Sequence, residues 1–430
     1  MIRNLLELRR ILRCRKLGPD ELEALRVRKL RAVIHNAYEH VPYYGSLFKS
    51  AGIAPEDIRT VEDLKNIPVT TKDDLRAAGV KKTVADWVDV SECIRTLTSG
   101  ATGKPFEVYR TPSEYMTTRL HITAALLTYG FGLGDRLVSL EGDDVVLVPF
   151  HRRLRFFRRE LIASGLPVDE LIRQLVNAKP TMIWAMPAKL RAVLLNATIP
   201  LSDLMPLKTI ITWGQAVDLP LKTRLQHDLS VDLFSCYGAN EAVLVAWECP
   251  SRDGLHINMD HVILECCPDE TIGEADGVGI SVVTSLDSLA MPFIRYRLGD
   301  LCSFSLRECS CGSSLPRMEH PVGRDWDMVR LPSGKVLHAH KFDYILRAFP
   351  GIFQWQVIQE TRGHFLVRLV LDGPTPEDMV PRIRSQFAEY LREPVTVEIE
   401  FVDGIDDGSS KPSAFLSKVP SMSSTPKLVD

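Results

Sequence analysis

Apolar and polar positions divide the 430-residue chain into a helical front, an alternating middle and a mixed tail. Through about residue 90, apolar residues recur at helical spacing between polar breaks. The opening MIRNLLELRRILRCRKL predicts an amphipathic helix packing through Leu5, Leu8 and Leu12. Asp20 can cap a second helix, with Glu21 and Glu23 in its first turn, that Val41-Pro42 ends after about His40. Thr60-Val61-Glu62-Asp63-Leu64 begins another short helix, and Pro68 closes the region.

From about residue 92 to 300, short apolar runs alternate with amphipathic helices. Strands are predicted over Arg136–Leu140, Val145–Val148, Met182–Trp184, Thr209–Thr212 and Val231–Phe234, and helices over 112–129, 168–178, 187–196 and 218–228. That alternation predicts an α/β domain with helices covering a sheet. After about Asp260 strands dominate, over Val262–Cys266, Gly279–Thr284 and Leu301–Ser305. A boundary falls near Gly323-Arg324-Asp325-Trp326-Asp327, which divides the chain into a large domain over 1–324, a hinge over 325–327 and a small α+β domain over 328–430. The small domain has strands over Phe353–Gln359, Phe365–Leu371 and Val395–Phe401. Its helix opens at Thr375-Pro376-Glu377-Asp378, with proline in the first turn, and runs to about Leu391.

Composition narrows the classes. The length suits two or three domains, and 45% hydrophobic with 25% charged residues is ordinary for a globular protein. A net charge of −3 gives no nucleic-acid footprint. No apolar run is long enough to cross a bilayer. The basic N-terminus lacks a continuous apolar core and a small-residue cleavage site, so it does not read as a signal peptide. Packing on the body is the first reading for it, and lying on an acidic membrane surface is the alternative. The nine cysteines form no disulfide framework, which favours a reducing, cytoplasmic setting.

The densest chemistry lies in Thr98-Ser99-Gly100-Ala101-Thr102-Gly103-Lys104-Pro105. Glycines let the backbone approach a ligand closely, and successive free N–H groups form an anion nest. Thr98, Ser99 and Thr102 add hydroxyls and Lys104 a positive charge, so polyphosphate is the natural guest. The spacing is not that of the P-loop, because only two residues separate Gly100 from Gly103 and Pro105 follows the lysine. An ordinary surface turn is the alternative.

Further motifs follow in order: Trp213-Gly214-Gln215, Tyr237-Gly238-Ala239-Asn240-Glu241, Arg295-Tyr296-Arg297-Leu298-Gly299-Asp300-Leu301 and Gly323-Arg324. Together with the loop they resemble the adenylate-forming superfamily of acyl-CoA synthetases and peptide-synthetase adenylation domains, over nearly the whole chain. Tyr38-Glu39-His40-Val41-Pro42-Tyr43-Tyr44 and Cys309-Ser310-Cys311-Gly312 look like its phenylacetate–CoA ligase-like branch, which includes capsule-biosynthesis members.

The resemblance implies a large α/β domain with a β-rich subdomain and a small mobile α+β lid. It implies attack of a small carboxylic acid, aromatic or similarly compact, on ATP to give acyl-adenylate and pyrophosphate. A thiol then displaces AMP, with coenzyme A as the default acceptor and an amine or carrier-protein thiol as the alternative. By the same resemblance Thr98, Ser99, Gly100, Thr102, Gly103 and Lys104 embrace the phosphates, and Glu241 is the magnesium ligand. Asp300 accepts from the ribose, Arg324 contacts ribose or phosphate, and Gly214, Gln215, Tyr237, Gly238 and Asn240 line the adenine side. Lys411 is the cation bridging acyl carboxylate and α-phosphate, with Lys418 as runner-up. His121, Tyr129, Phe131, Phe150 and His151 lie in the stretch where such enzymes hold the acyl group.

This sequence also departs from the pattern. Ala101 stands for a commoner serine, and Asn240 for the usual threonine. Trp326 takes the hinge position, flanked by Asp325 and Asp327, and Pro412, Ser413 and Ala414 replace basic residues after Lys411. A degenerate nucleotide binder is therefore the rival reading, and a homodimer is an open assembly. Finally, Cys249, His256, Cys309 and Cys311 form two pairs. Three thiolates and an imidazole make a closed zinc set. The branch resemblance implies that they meet, and four unrelated residues are the alternative.

Overall fold

The computed structural model describes residues 2–98, 106–141, 158–197, 205–268, 277–305, 307–349, 351–373, 375–405 and 413–420. The expected strand Val145–Val148, the loop residues Ser99 to Pro105, and Phe150, His151 and Lys411 lie outside the described residues. Contacts divide the chain into two compact units, the first holding Met1–Val217, Leu225–Pro268 and Ala275–Pro321, and the second centred on Val322–Asp430.

The front of the first unit is helical: α1 (Ile2–Cys14), α2 (Pro19–His40), α3 (Pro42–Ser50), α4 (Lys72–Ala78) and α5 (Val80–Thr83). Helix α1 corrects the expected packing face. It buries Ile11 and Cys14, half-buries Leu8 and Leu12, and leaves Leu5 59% exposed. The Arg15 guanidinium, just past α1, donates to the Ala124 carbonyl at 3.0 Å and the Thr128 hydroxyl at 3.0 Å. Pro42, expected only to end a helix, also opens α3. The short helix after Thr60 is a 3₁₀ turn over Glu62–Asn66, with Asp63 accepting from the Arg59 and Thr60 amides.

Strands β1 (Ile94–Thr98) and β2 (Phe106–Arg110) pair antiparallel and precede α6 (Pro112–Thr128). Thr111 and Glu114 form the capping box that starts α6. There follow β3 (Arg136–Glu141), β4 (Arg158–Ala163), α7 (Val168–Ala178), β5 (Met182–Ala185), α8 (Pro187–Asn196), β6 (Thr209–Thr212), α9 (Leu219–Leu229) and β7 (Asp232–Tyr237). Then come β8 (Ala246–Glu248), β9 (Leu255–Ile257), β10 (Val262–Cys267), β11 (Gly279–Ser285), β12 (Tyr296–Cys302), β13 (Phe304–Ser305) and β14 (Arg317–Met318). The main sheet runs β13-β14-β9-β8-β7-β6-β5-β3-β4. It is parallel from β7 to β4 and antiparallel from β7 to β13. Every residue of β5 and β6 is buried, as befits parallel strands covered on both faces.

A second sheet, β10-β11-β12, is antiparallel. β12 starts at Tyr296, five residues before the expected Leu301. Thr70 bridges there, donating to the Arg295 carbonyl at 2.8 Å and accepting from the Arg297 amide at 2.9 Å, a tertiary pairing that extends the strand.

The second unit holds β15 (Met328–Arg330), β16 (Val336–His338), α10 (His340–Arg347), β17 (Ile352–Thr361), β18 (His364–Leu371), α11 (Met379–Leu391), β19 (Thr396–Phe401) and β20 (Phe415–Ser417). Its four-stranded sheet is ordered β19-β18-β17-β20. Phe342 of α10 stacks on Phe387 of α11 at 4.5 Å in the core over that sheet. Helix α11 begins at Met379 rather than at Pro376, with Asp378 as its cap residue.

Candidate active site

In open α/β sheets, ligands gather beyond the carboxyl ends of parallel strands. Here β6 ends at Thr212 and delivers Trp213-Gly214-Gln215, and β7 ends in Tyr237 and delivers Gly238 to Glu241. Gly214 turns the chain at φ +76°. The Gln215 amide oxygen accepts from the Ala188 amide at 3.3 Å, tying the turn to the start of α8. Trp213 stacks on Trp184 of β5 with ring centroids 6.5 Å apart.

The loop after β7 is tightly wound. Val243 sits at φ +55°, a strained conformation for a β-branched residue. Its amide donates to the Ala239 carbonyl at 2.6 Å, and the Val245 amide donates to the Tyr237 carbonyl at 2.9 Å. Two phenol–carboxylate bonds join this loop to β12 in opposite directions. Tyr237, at the loop's start, donates to Asp300 Oδ2 at 3.0 Å. Tyr296, at the start of β12, donates to Glu241 Oε1 at 2.9 Å. Burial and the facing carboxylates raise both phenols above the usual tyrosine range, so both stay protonated and donate. Gly299, at φ +83°, lies where β12 loses register with β11, and this bulge places Asp300 opposite Tyr237.

Thr98 closes β1 beside the loop that lies outside the described residues. Its hydroxyl accepts from Lys72 Nζ at 2.6 Å and from the Phe106 amide at 3.2 Å. Among the expected residues, Glu241, Tyr237, Gly238 and Asp300 come together, with Asn240 in the same loop, and Gly214 and Gln215 occupy the neighbouring strand end. Arg324 belongs to the second unit, where its guanidinium lies 5.2 Å over the Trp326 ring and its carbonyl faces His338 Nε2 at 2.5 Å. His121, Tyr129 and Phe131 are buried in the core, His121 in a polar cluster described below. Sequence reasoning missed Lys72 and Arg110 and gave Tyr296 no role. Tyr296 had a signal, standing four residues before Asp300 inside a motif already singled out.

The cysteine pairs also converge. The ligand atoms of Cys249, His256, Cys309 and Cys311 all lie within 4.8 Å of one another. Cys249 Sγ is 3.5 Å from Cys309 Sγ, and Cys311 Sγ is 3.3 Å from His256 Nε2. His256 is fully buried on β9, and the pairing of β9 with β14 brings the Cys309–Cys311 turn to it. His256 Nδ1 donates to the Leu315 carbonyl at 3.1 Å, which fixes the tautomer and leaves Nε2 bare toward the thiols. Burial holds the ring below the usual imidazole range, hence neutral.

No protein-family model matches the chain. Phenylacetate–coenzyme A ligase of Thermus thermophilus is 27% identical over 368 residues, covering 80% of this chain and 79% of that protein. The Escherichia coli phenylacetate–coenzyme A ligase is 27% identical over 361 residues, covering 80% of each. A structure of 2-hydroxyisobutyryl-CoA ligase in the postadenylation state matches with a TM-score of 0.74 at 20% identity, over 94% of this chain and 90% of that one. A Burkholderia xenovorans benzoate CoA ligase matches with a TM-score of 0.53 at 15% identity, over 75% of this chain and 67% of that one. In sequence this chain is similar to phenylacetate–coenzyme A ligases, and its fold is that of the adenylate-forming CoA ligases.

Proposed function

We propose that this protein activates a small carboxylic acid with ATP and transfers the acyl group to a thiol. The carboxylate attacks the α-phosphorus and pyrophosphate leaves; the thiol sulfur then bonds to the acyl carbon and AMP leaves. One observation carries this reading: the reciprocal Tyr237–Asp300 and Tyr296–Glu241 bonds join the Glu241 carboxylate, in the loop beyond β7, to the β12 strand that carries Asp300. A carboxylate suits a hard divalent ion shared with substrate phosphates, so Glu241 would hold magnesium, which neutralises triphosphate charge. Asp300 would accept from the ribose hydroxyls. The loop from Thr98 to Lys104, with Lys72 against Thr98, would cradle the phosphates, and Lys411 would bridge the reacting carboxylate and phosphate.

Coenzyme A is the acceptor this reading favours, because the relatives just described act on it. An aryl or aryl-acetic acid is the favoured substrate because the sequence relatives are phenylacetate–coenzyme A ligases. ATP and coenzyme A are both plentiful in the cytoplasm, and among the described residues no helix is long and apolar enough to cross a membrane. Offering preformed aryl acyl-adenylate with coenzyme A, with amines and with a carrier-protein thiol tests the second step. Product with coenzyme A supports the reading; product with an amine alone replaces it by amide ligation.

We also assign Cys249, His256, Cys309 and Cys311 to a structural zinc ion. Three sulfurs and one pre-oriented, neutral imidazole match its donor preference and leave no open position for catalysis. Metal analysis should return one zinc per chain, lost in a Cys309→Ser/Cys311→Ser variant together with several degrees of melting temperature. A metal-free protein of unchanged stability would end the assignment.

A further inference from the structure

The loop that carries Glu241 turns its carbonyls toward buried side chains. Arg110, at the end of β2, directs Nη2 at the Asn240 carbonyl and at the Glu241 carbonyl, the latter at 3.1 Å, while Nη1 donates to the Thr96 hydroxyl at 3.3 Å. This arginine is buried, and among the described residues no carboxylate forms an ion pair with it. Burial lowers it to about 10, so it is charged at neutral pH. A buried cation spent on backbone carbonyls carries a desolvation cost that ordinary packing does not require.

His261 takes the next carbonyl. Its Nε2 lies 2.9 Å from the Ala242 oxygen and its Nδ1 lies 2.7 Å from Asp287 Oδ2. Both partners are acceptors, so both ring nitrogens must donate. Asp287 is held in turn by Lys29 Nζ at 2.6 Å. His121, stacked 4.3 Å from His261, has the opposite assignment. The Asn258 amide gives one hydrogen to the Leu244 carbonyl and the other to His121 Nδ1, at 3.2 Å and 3.1 Å, so His121 is neutral with its Nε2 hydrogen toward Asp287. Side chains thus hold the carbonyls of Asn240, Glu241, Ala242 and Leu244, on either side of strained Val243.

We propose that Arg110 and His261 are positioning residues whose donated hydrogen bonds to the Asn240, Glu241 and Ala242 carbonyls hold the strained loop so that the Glu241 carboxylate stays aimed at its magnesium ion. The proposal rests on the reading of Glu241 given above. A strained segment persists only where its surroundings over-determine it. Here Arg110 and His261, from elements far apart in sequence, supply that constraint.

The test uses the full-length protein with Arg110→Lys, His261→Asn and Asp287→Asn as single variants. Lysine keeps the charge but offers one nitrogen in place of the fork that bonds Thr96 through Nη1 and the two loop carbonyls through Nη2, and asparagine at 261 falls short of Ala242. Asp287→Asn removes the charge that orients His261 without touching the loop. Pyrophosphate release is titrated with magnesium chloride at fixed ATP and acid, beside thioester formation from supplied acyl-adenylate, which needs no metal. The half-saturating magnesium concentration should rise about tenfold in Arg110→Lys and His261→Asn and about threefold in Asp287→Asn, with thioester formation changed less than twofold. Unchanged magnesium dependence, or equal loss of both half-reactions in every folded variant, overturns the proposal. Failure of all three to fold would mean the network serves stability alone, and would overturn it too. If the wild type shows no magnesium-dependent pyrophosphate release, the reading of the function fails instead.

Discussion

Gly238→Ala is expected to abolish acid activation while leaving most of the fold in place. A Cβ on Gly238 would stand 1.7 Å from the Val243 carbonyl oxygen and 2.9 Å from its carbon. Those are backbone atoms, with no flexible side chain to move aside. The Val243 end of the loop must shift by more than 1 Å to reach ordinary contact, and Glu241 rides between the two points. Misplacement by about 1 Å costs on the order of 10²-fold where catalysis depends on positioning. The loop is already bent at Val243 and bonded from Ala239 to Val245. It has little freedom to absorb the change locally. Pyrophosphate release should therefore fall at least about 10²-fold. Circular dichroism should show native secondary structure, because β6, β7 and β8 pair outside the clash. Near-wild-type activity would show that the loop does not set the geometry of the first step.

The second large effect concerns Lys411. If its ammonium bridges the acyl carboxylate and the α-phosphate, it stabilises charge that develops only in the first transition state. Removing one such preorganised donor costs about 10²–10³-fold. Lys411→Ala should show that loss in pyrophosphate release, with thioester formation from supplied acyl-adenylate largely intact. Lys418 provides the control. It follows β20, and its ammonium pairs with Glu360 at 2.6 Å on an exposed edge. Lys418→Ala should leave both steps within twofold. Reversed behaviour of the two variants would move the role to Lys418, and equal loss of both half-reactions in Lys411→Ala would remove it from the first step.

Strands such as Thr209–Thr212 and Met182–Trp184, the latter one residue longer in the structure, were legible because each is a short run buried on both faces. Glu241 and Asp300 were singled out through the resemblance their motifs carry, and their pairings with Tyr296 and Tyr237 were not, because each pairing crosses between β12 and the loop after β7. What was not legible is tertiary. Arg110 is one arginine at a strand end, and nothing local shows that it is buried against carbonyls 130 residues away. His261 meets Ala242 only because the chain doubles back through β8 and β9. The early start of β12 depends on Thr70, more than two hundred residues upstream. The inward face of α1 was misread as Leu5, Leu8 and Leu12, since apolar residues cover so much of that helix that pattern alone does not pick out Ile11 and Cys14. The cysteine pairs were visible as pairs, but their convergence needed the β9–β14 pairing.

Acid activation through an adenylate is read out by acid-dependent pyrophosphate release from ATP and magnesium, across aryl, aryl-acetic and amino acids, with hydroxylamine trapping the activated acyl group. At least one compact aryl or aryl-acetic acid should give pyrophosphate and hydroxamate in equal amounts. ATP binding without acid-dependent pyrophosphate from any acid of the panel would contradict it and favour a nucleotide-binding protein that does not turn over.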